Sequence, residues 1–238
     1  MFGLKNRRKK KKSKLESMGR RLITVSNSKS IFAEQFRTIR TNIKFSMPDQ
    51  RVKTILVTSS TPGEGKSTNA ANLGVVYAQE GKKVLVVDAD MRKPTLHYTF
   101  GILNTTGLST VLSKQTEINS SIQETPIVGL FVLPSGPIPP NPTELLSSKT
   151  FDDFIEEMKK SYDIIIFDAP PILSVSDAQV LSPHCDGTLL IIHSGVAEKE
   201  DVLKAKSVLS TSQAKILGVI LNKYKMPKNY LYYYQGKF

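Results

Sequence analysis

The chain has one cysteine, no tryptophan and no long apolar run. Cys185 alone cannot form an internal disulfide bond, and it cannot supply paired thiolates for a zinc or iron–sulfur site. No apolar run approaches the roughly 18 residues that a membrane-spanning helix needs. The N-terminus is charged and no apolar segment follows it, unlike a secretory signal. These absences predict a cytoplasmic protein without disulfide bonds, metal clusters or membrane spans.

The net charge of +12 is concentrated at the N-terminus. Residues 1–22 hold ten Lys or Arg and one acid, whereas the remaining 216 residues carry a net charge of only +3. A block of like charge without apolar periodicity predicts a disordered tail that attracts polyanions. We favour an anionic membrane surface or a membrane partner over a merely solubilising tail. Nucleic acid is the least favoured partner, because no basic and aromatic interleaving follows in the body.

Apolar residues after the tail recur at i, i+4, i+7 and i+11, which predicts a helix with one buried face. They are Phe32, Phe36, Ile39 and Ile43. Glu34, Arg37 and Arg40 fall on a flank away from that face. Taken alone, Glu34 and Arg37 are equally well explained as an i,i+3 ion pair on a solvated surface.

Six short apolar runs, rich in β-branched residues, predict strands covered on both faces. They span residues 54–57, 84–87, 128–133, 164–167, 189–192 and 216–221. Segments of helical composition lie between most of them: 67–79, 145–160, 176–181 and 199–210. This alternation predicts an α/β fold with a mainly parallel sheet and helices on both faces. Such sheets bind ligands beyond the carboxyl ends of their strands.

The first predicted strand runs into a glycine-containing loop, residues 58–68, which we call the phosphate loop. Gly65, Lys66 and Ser67 match the pattern G-x-x-x-x-G-K-[ST], whereas Ser60 stands where the first glycine usually lies. Glycines such as Gly63 let backbone N–H groups approach phosphates, a lysine neutralises β- and γ-phosphate charge, and a serine hydroxyl suits Mg²⁺. A nucleotide site is therefore favoured over a glycine-rich turn that merely precedes a helix.

Acidic residues follow two other predicted strands. One strand ends in DADMR, residues 88–92, and another ends in DAPP, residues 168–171. An Asp at the end of an apolar strand is where a P-loop protein places a carboxylate that organises Mg²⁺. Each Asp alone could instead be a helix cap or a turn residue. Together with the phosphate loop, they predict that three carboxylates converge on one Mg²⁺–nucleotide site.

The phosphate loop, DADMR and DAPP together resemble the motifs of the bacterial tyrosine kinase family, also called BY-kinases. The segment 34–40, ExxRxxR, is similar to the family's oligomerisation motif, and the segment 135–142 resembles its proline-rich loop. The resemblance covers roughly residues 30–238 and points to the separate cytoplasmic kinase chain of capsule and exopolysaccharide loci. It implies a P-loop fold of the deviant-Walker type, related to MinD and ParA.

The resemblance also implies residue roles. Catalysis is assigned to Lys66, Asp88 and Asp90, with Asp88 as the general base or the group that positions the nucleophile. Mg²⁺ is assigned to Ser67, Asp88, Asp90 and Asp168. ATP is assigned to Pro62, Gly63, Glu64, Gly65, Lys66, Ser67, Thr68 and Arg92. Self-association into a ring is assigned to Glu34, Arg37 and Arg40.

Five of the eight tyrosines lie in the last 15 residues: Tyr224, Tyr230, Tyr232, Tyr233 and Tyr234. A buried aromatic cluster is one explanation. A flexible tail that presents phenols to an active site explains the surrounding Lys and Asn residues better. The predicted organisation is therefore a basic tail at 1–28, a kinase domain at 29–222 and a flexible tyrosine tail at 223–238.

The leading interpretation is an ATP- and Mg²⁺-dependent protein-tyrosine kinase that phosphorylates its own tail between neighbouring subunits. The resemblance implies a homo-oligomer, a membrane-bound activator chain that places the kinase at the inner membrane face, and a cognate tyrosine phosphatase. The alternative is a partitioning or positioning ATPase of the MinD/ParA type that switches on a membrane or DNA. That class has a second lysine near the position of Thr61 and needs no tyrosine tail.

Overall fold

A computed structural model gives the fold of residues 22–47 and 52–225. Its seven strands are β1 (Thr54–Ser59), β2 (Val84–Asp88), β3 (Gln123–Glu124), β4 (Leu130–Leu133), β5 (Ile164–Asp168), β6 (Gly187–His193) and β7 (Ile216–Asn222). They form one sheet in the order β3-β4-β2-β5-β1-β6-β7, and every pair is parallel except β3–β4. The predicted mainly parallel sheet is confirmed.

Helices cover both faces of this sheet. They are α1 (Ile23–Ser26), α2 (Ile31–Ser46), α3 (Lys66–Gln79), α4 (Leu96–Phe100), α5 (Leu108–Leu112), α6 (Ile118–Ser121), α7 (Pro142–Leu146), α8 (Lys149–Ser161), α9 (Asp177–Leu181) and α10 (Lys199–Thr211). Alternate residues of β1 enter opposite cores: Ile55 packs with α3, and Leu56 packs in the cluster that holds α8 and α10. No helix within residues 22–47 and 52–225 is long and apolar enough to cross a membrane.

Three sequence predictions about elements need correction. Residues 22–28, assigned to the flexible tail, belong to the packed fold, since Leu22 is fully buried and the hydroxyl of Thr24 donates to Asn72 over 2.8 Å. The helix predicted at 145–160 is two helices, because Ser148 caps a new start by accepting from the N–H of Phe151. Strand β7 is an edge strand whose side chains are half-buried or exposed, so the prediction of a strand covered on both faces is wrong for β7.

The apolar face predicted for α2 is buried only towards its C-terminal end. Ile43 is 3% exposed, whereas Phe32 is 54% exposed. Phe36 and Ile39 lie between these extremes and pack partly against the core. The periodicity therefore predicted the helix correctly and the burial of Phe32 wrongly.

Candidate nucleotide site

The carboxyl ends of β1, β2 and β5 meet at one edge of the sheet. In register, Asp88 of β2 lies beside Asp168 of β5, and Val57 of β1 lies on the other side of Asp168. The phosphate loop leaves β1 at this edge and leads into α3. Parallel pairing thus brings together the three motifs that the sequence singled out.

The phosphate loop has the backbone that an anion site requires. Gly63 and Gly65 have φ angles of 84° and 93°, a left-handed region that glycine enters without strain. Gly65 is the N-cap residue of α3, and no side chain caps the helix there. The first N–H groups of this 14-residue helix are therefore available for an anionic ligand at its positive end.

Lys66 lies between two of the predicted carboxylates. Its Nζ is 2.7 Å from Asp90 Oδ2 and 3.8 Å from Asp168 Oδ1. Burial opposes its charge, but Asp168 and Asp90 outweigh that effect and raise the pKa of Lys66. Lys66 is therefore a cation at neutral pH, in the position where phosphate charge would arrive.

The carboxylates of Asp88 and Asp168 are fully buried. Asp88 Oδ2 accepts from the N–H groups of Thr95 and Leu96, each at 3.0 Å. Among the described residues, Asp88 Oδ1 and both oxygens of Asp168 have no hydrogen-bond partner. Burial, followed by the neighbouring Asp168 charge, raises the pKa of Asp88 well above its ordinary value, and burial raises the pKa of Asp168.

These unpartnered oxygens fit a bound cation. No group of three or more His, Cys, Asp or Glu within residues 22–47 and 52–225 has the arrangement of a complete metal-binding set. The predicted convergence of Asp88, Asp90 and Asp168 on one Mg²⁺–nucleotide site stays a prediction. Mg²⁺ commonly takes only one or two carboxylates and completes its shell with water and substrate phosphates. The Ser67 hydroxyl and one or two of the aspartates are suitable for that role.

A cavity of about 710 Å³ opens beside the phosphate loop. It is lined by Lys66, Ser67, Asp90, Tyr98 and Pro171. Pro62, Gly63, Gly65, Thr68 and Arg92 also line it. Asp88 and Asp168 do not, which places Asp90 nearest to an incoming substrate. A cavity of this size matches ordinary small-ligand pockets of roughly 300–1,000 Å³.

Glu64, which the sequence assigned to ATP binding, does not line the cavity. Its side chain is 2% exposed and turns back into the phosphate loop. Its Oε2 accepts from the Ser60 N–H over 2.9 Å, and its Oε1 accepts from the Ser60 hydroxyl over 2.8 Å. The Glu64 side chain is therefore internal to the loop, and the predicted contact of this residue with ATP stays a prediction.

Arg92 lines the cavity but is held by a residue that the sequence did not single out. Its Nε and Nη2 donate to the two carboxylate oxygens of Asp177, over 2.8 and 2.9 Å. Thr143, in the helix that follows the proline-rich loop, donates to the same carboxylate over 2.6 Å. No motif marks Asp177 in the sequence, because its importance comes from full burial beside an arginine 85 residues away.

The ExxRxxR residues are engaged within their own subunit. Arg37 forms an ion pair with Glu34 at 2.7 Å and also donates to the Ser28 carbonyl. Arg40 Nη1 donates over 2.6 Å to the Val76 carbonyl in the last turn of α3, and its side chain is mostly buried. Glu34 and Arg37 therefore lie on an accessible flank, as predicted, whereas Arg40 does not.

The two tails lie mostly outside the described residues. Tyr224, just beyond β7, is 52% exposed. Tyr230, Tyr232, Tyr233 and Tyr234 and the basic run at 5–14 are outside the described ranges. Their predicted roles stay predictions.

Comparison with known proteins identifies the family of this chain. A family profile described as an AAA domain matches residues 52–194. The chain is 50% identical over 226 residues to the tyrosine-protein kinase YwqD of Bacillus subtilis strain 168, with 95% of each chain covered. The crystal structure of the chimerical protein CapA2B2 superposes with a TM-score of 0.84 at 46% identity, covering 87% of this chain and 91% of that one. The cell division ATPase MinD of Pyrococcus furiosus is more distant, with a TM-score of 0.62 at 27% identity over 74% of this chain and 76% of its own.

The similarity to a tyrosine kinase spans nearly the whole chain, whereas the MinD likeness is partial and weaker. The profile match covers the phosphate loop, DADMR and DAPP, which the fold assembles at one sheet edge. On this combined evidence, the chain is a nucleotide-using tyrosine-protein kinase and belongs to the bacterial tyrosine kinase family.

Proposed function

We propose that this kinase transfers the γ-phosphoryl group of Mg²⁺–ATP to tyrosines of its own C-terminal tail. The observation that carries the proposal is the position of Lys66, at the start of the phosphate loop helix and 2.7 Å from the cavity-lining Asp90. The composition of the tail supports the choice of acceptor, because five of its last 15 residues are tyrosines.

The chemistry follows from the residues around the cavity. The phenol oxygen forms a bond to the γ-phosphorus, the bond between that phosphorus and the bridging oxygen breaks, and ADP leaves with the electron pair. Lys66 and the N–H groups of the α3 N-terminus stabilise the negative charge of the phosphoryl oxygens. We infer that Asp90, which lines the cavity, accepts the phenol proton or helps to hold the metal, in place of the general-base role assigned above to Asp88. The buried carboxylates of Asp88 and Asp168 supply negative charge that would help to hold Mg²⁺. Mg²⁺, when bound, supplies further positive charge at the β- and γ-phosphates.

The cellular setting is part of the same proposal. The kinase acts in capsule or exopolysaccharide synthesis or export, together with a membrane-bound activator chain that brings it to the inner membrane face. The name of the CapA2B2 chimera joins two components and supports such a pairing in that protein. A ring-like homo-oligomer delivers one subunit's tail to its neighbour, and a tyrosine phosphatase resets the tail. The basic N-terminal run adds attraction to anionic lipid.

The test is to incubate the full chain with Mg²⁺–ATP and an activator fragment and to map phosphate by mass spectrometry. We expect phosphate on the tail tyrosines and none on Tyr77, which is 6% exposed. Lys66→Met should abolish the signal, whereas the matched change at an exposed helix residue, Lys204→Met, should leave it intact. ATP hydrolysis without any phosphotyrosine would favour a positioning ATPase instead.

A further inference from the structure

Ser60 stands at the first glycine position of the pattern G-x-x-x-x-G-K-[ST], and the structure gives a reason for this departure. Ser60 is fully buried, and both its N–H and its hydroxyl donate to the carboxylate of Glu64. The Thr61 N–H and hydroxyl reach the same carboxylate over 3.4 and 3.3 Å. The Glu64 side chain thus holds Ser60 and Thr61 in place. A glycine at position 60 would lack the hydroxyl donor.

Glu64 is also held through its backbone. Its carbonyl accepts from the side-chain amide of Asn222, the last residue of β7, over 2.7 Å. A Cβ added at Gly65 would lie 2.2 Å from that amide nitrogen, so Asn222 packs directly against the next loop residue. The loop is therefore held by the Glu64 carboxylate and by Asn222 at the end of β7.

We propose that Glu64 is a positioning residue that keeps the phosphate loop in its nucleotide-binding shape before nucleotide arrives. A loop containing Gly63 and Gly65 has many accessible backbone conformations, and ordering them on binding weakens affinity. The hydrogen bonds of Glu64 restrict these conformations in advance. The inference rests on the proposed nucleotide site but concerns a residue that does not face it.

A charge argument makes the opposite prediction. A carboxylate in a loop that binds phosphates repels them, so its removal would strengthen binding if charge dominated. The carboxylate of Glu64 is buried, accepts hydrogen bonds from Ser60 and Thr61, and does not line the cavity. We therefore expect the positioning effect to exceed the repulsion.

The experiment measures Mg²⁺–ADP affinity of the full chain by titration calorimetry, together with the steady-state KM for ATP and kcat. The wild-type chain is expected to bind Mg²⁺–ADP. If it does not bind, the proposed function is rejected, and the proposal for Glu64 is rejected with it. Glu64→Ala should weaken ADP binding about tenfold, equivalent to about 1.4 kcal/mol. It should raise KM by a similar factor and change kcat less than about twofold, because the binding shape and not the transfer step is affected.

Two further variants distinguish a positioning role of Glu64 from a general loss of folded structure. Glu64→Gln keeps one acceptor oxygen and should recover most of the affinity. Ser60→Ala, at a buried position that cannot touch nucleotide, should weaken binding by about two- to threefold alone and have no further effect in the Glu64→Ala background. Unchanged or tighter ADP binding by Glu64→Ala would overturn the proposal. Full additivity of Ser60→Ala and Glu64→Ala would do so as well, as would a lowered melting temperature with normal affinity in the folded variant.

Discussion

Asp88 and Asp168 lie side by side at the ends of adjacent parallel strands, and both carboxylates are fully buried. Close carboxylates in a buried site disfavour each other's ionisation. Two close buried carboxylates lower the stability of the protein when no cation is bound, but they are suited to hold a cation. The same residues therefore reduce stability and serve function.

Asp168→Asn should therefore stabilise the chain while abolishing kinase activity. Asp168 lies 3.8 Å from Lys66 Nζ, but both of its buried oxygens lack hydrogen-bond partners among the described residues. We therefore expect the relief from no longer burying this charge to outweigh the lost attraction to Lys66. We expect a gain of about 1 kcal/mol, or about 2–4 °C in Tm for a chain of this size, without nucleotide or Mg²⁺. Asp90→Asn is the matched control and should destabilise, because Asp90 pairs with Lys66 and accepts from the Lys93 N–H. Thermal unfolding of both variants measures the difference.

The gain from Asp168→Asn should depend on pH. Burial raises the folded-state pKa of Asp168, so the folded protein keeps a proton that the unfolded chain has already released. Wild-type stability is therefore lost as pH rises above the ordinary Asp pKa of about 3.9. The advantage of the variant should grow with pH across this window and vanish below about pH 4. An advantage that is constant from pH 4 to 8 would contradict the assignment.

We expect substitution of Arg40 to affect mainly stability and substitution of Arg37 to affect mainly self-association. Arg40→Ala removes a partly buried charged hydrogen bond to the Val76 carbonyl and should lower stability by about 1–2 kcal/mol. Arg37→Ala breaks an exposed ion pair and should cost less than about 1 kcal/mol. If the Glu34 and Arg37 flank mediates assembly, Arg37→Ala should nevertheless reduce the mass seen by light scattering. Equal masses for wild type and Arg37→Ala would count against that interface.

Phosphorylation of the tyrosine tail should favour disassembly. Each phosphotyrosine adds about −1.5 to −2 charges at pH 7, so a heavily modified tail is repelled from a site that holds Asp90 and nucleotide phosphates. Oligomer size before and after Mg²⁺–ATP treatment checks this. The control changes Tyr224, Tyr230, Tyr232, Tyr233 and Tyr234 to Phe. If the phosphorylated wild type keeps the mass of that variant, charge does not control assembly.

The basic run at 5–14 should bind anionic membranes. Eight Lys or Arg lie in this segment. At about 1 kcal/mol each they exceed the roughly 4 kcal/mol of millimolar affinity, although salt screening reduces the sum. Deletion of residues 1–14 should weaken sedimentation with phosphatidylserine vesicles, and high salt should have the same effect on wild type. Equal sedimentation of both forms would reject a membrane role.

The sequence by itself determined the fold class and the location of the site. Short apolar runs alternating with helical segments require a parallel sheet, because both faces of such strands must be buried. Once the strands are parallel, the phosphate loop, Asp88 and Asp168 must meet at their carboxyl ends. Local chemistry was enough to recognise Lys66, since its motif is contiguous in the chain.

Only the tertiary structure decided which side chains face the ligand and which hold the site together. Glu64 lies in the phosphate loop motif yet turns inward, because the donors of Ser60 and Thr61 satisfy its charge there. Arg40 lies in the ExxRxxR motif yet packs on α3, and Asp177 and Asn222 carry no motif at all. The roles of Arg40, Asp177 and Asn222 depend on contacts between residues 36 to 158 positions apart. The Glu64 side chain has partners only three and four positions away, and its inward turn depends on burial that the motif does not show. Periodicity and motif spacing describe neighbours along the chain, whereas burial and hydrogen-bond satisfaction depend on neighbours in space.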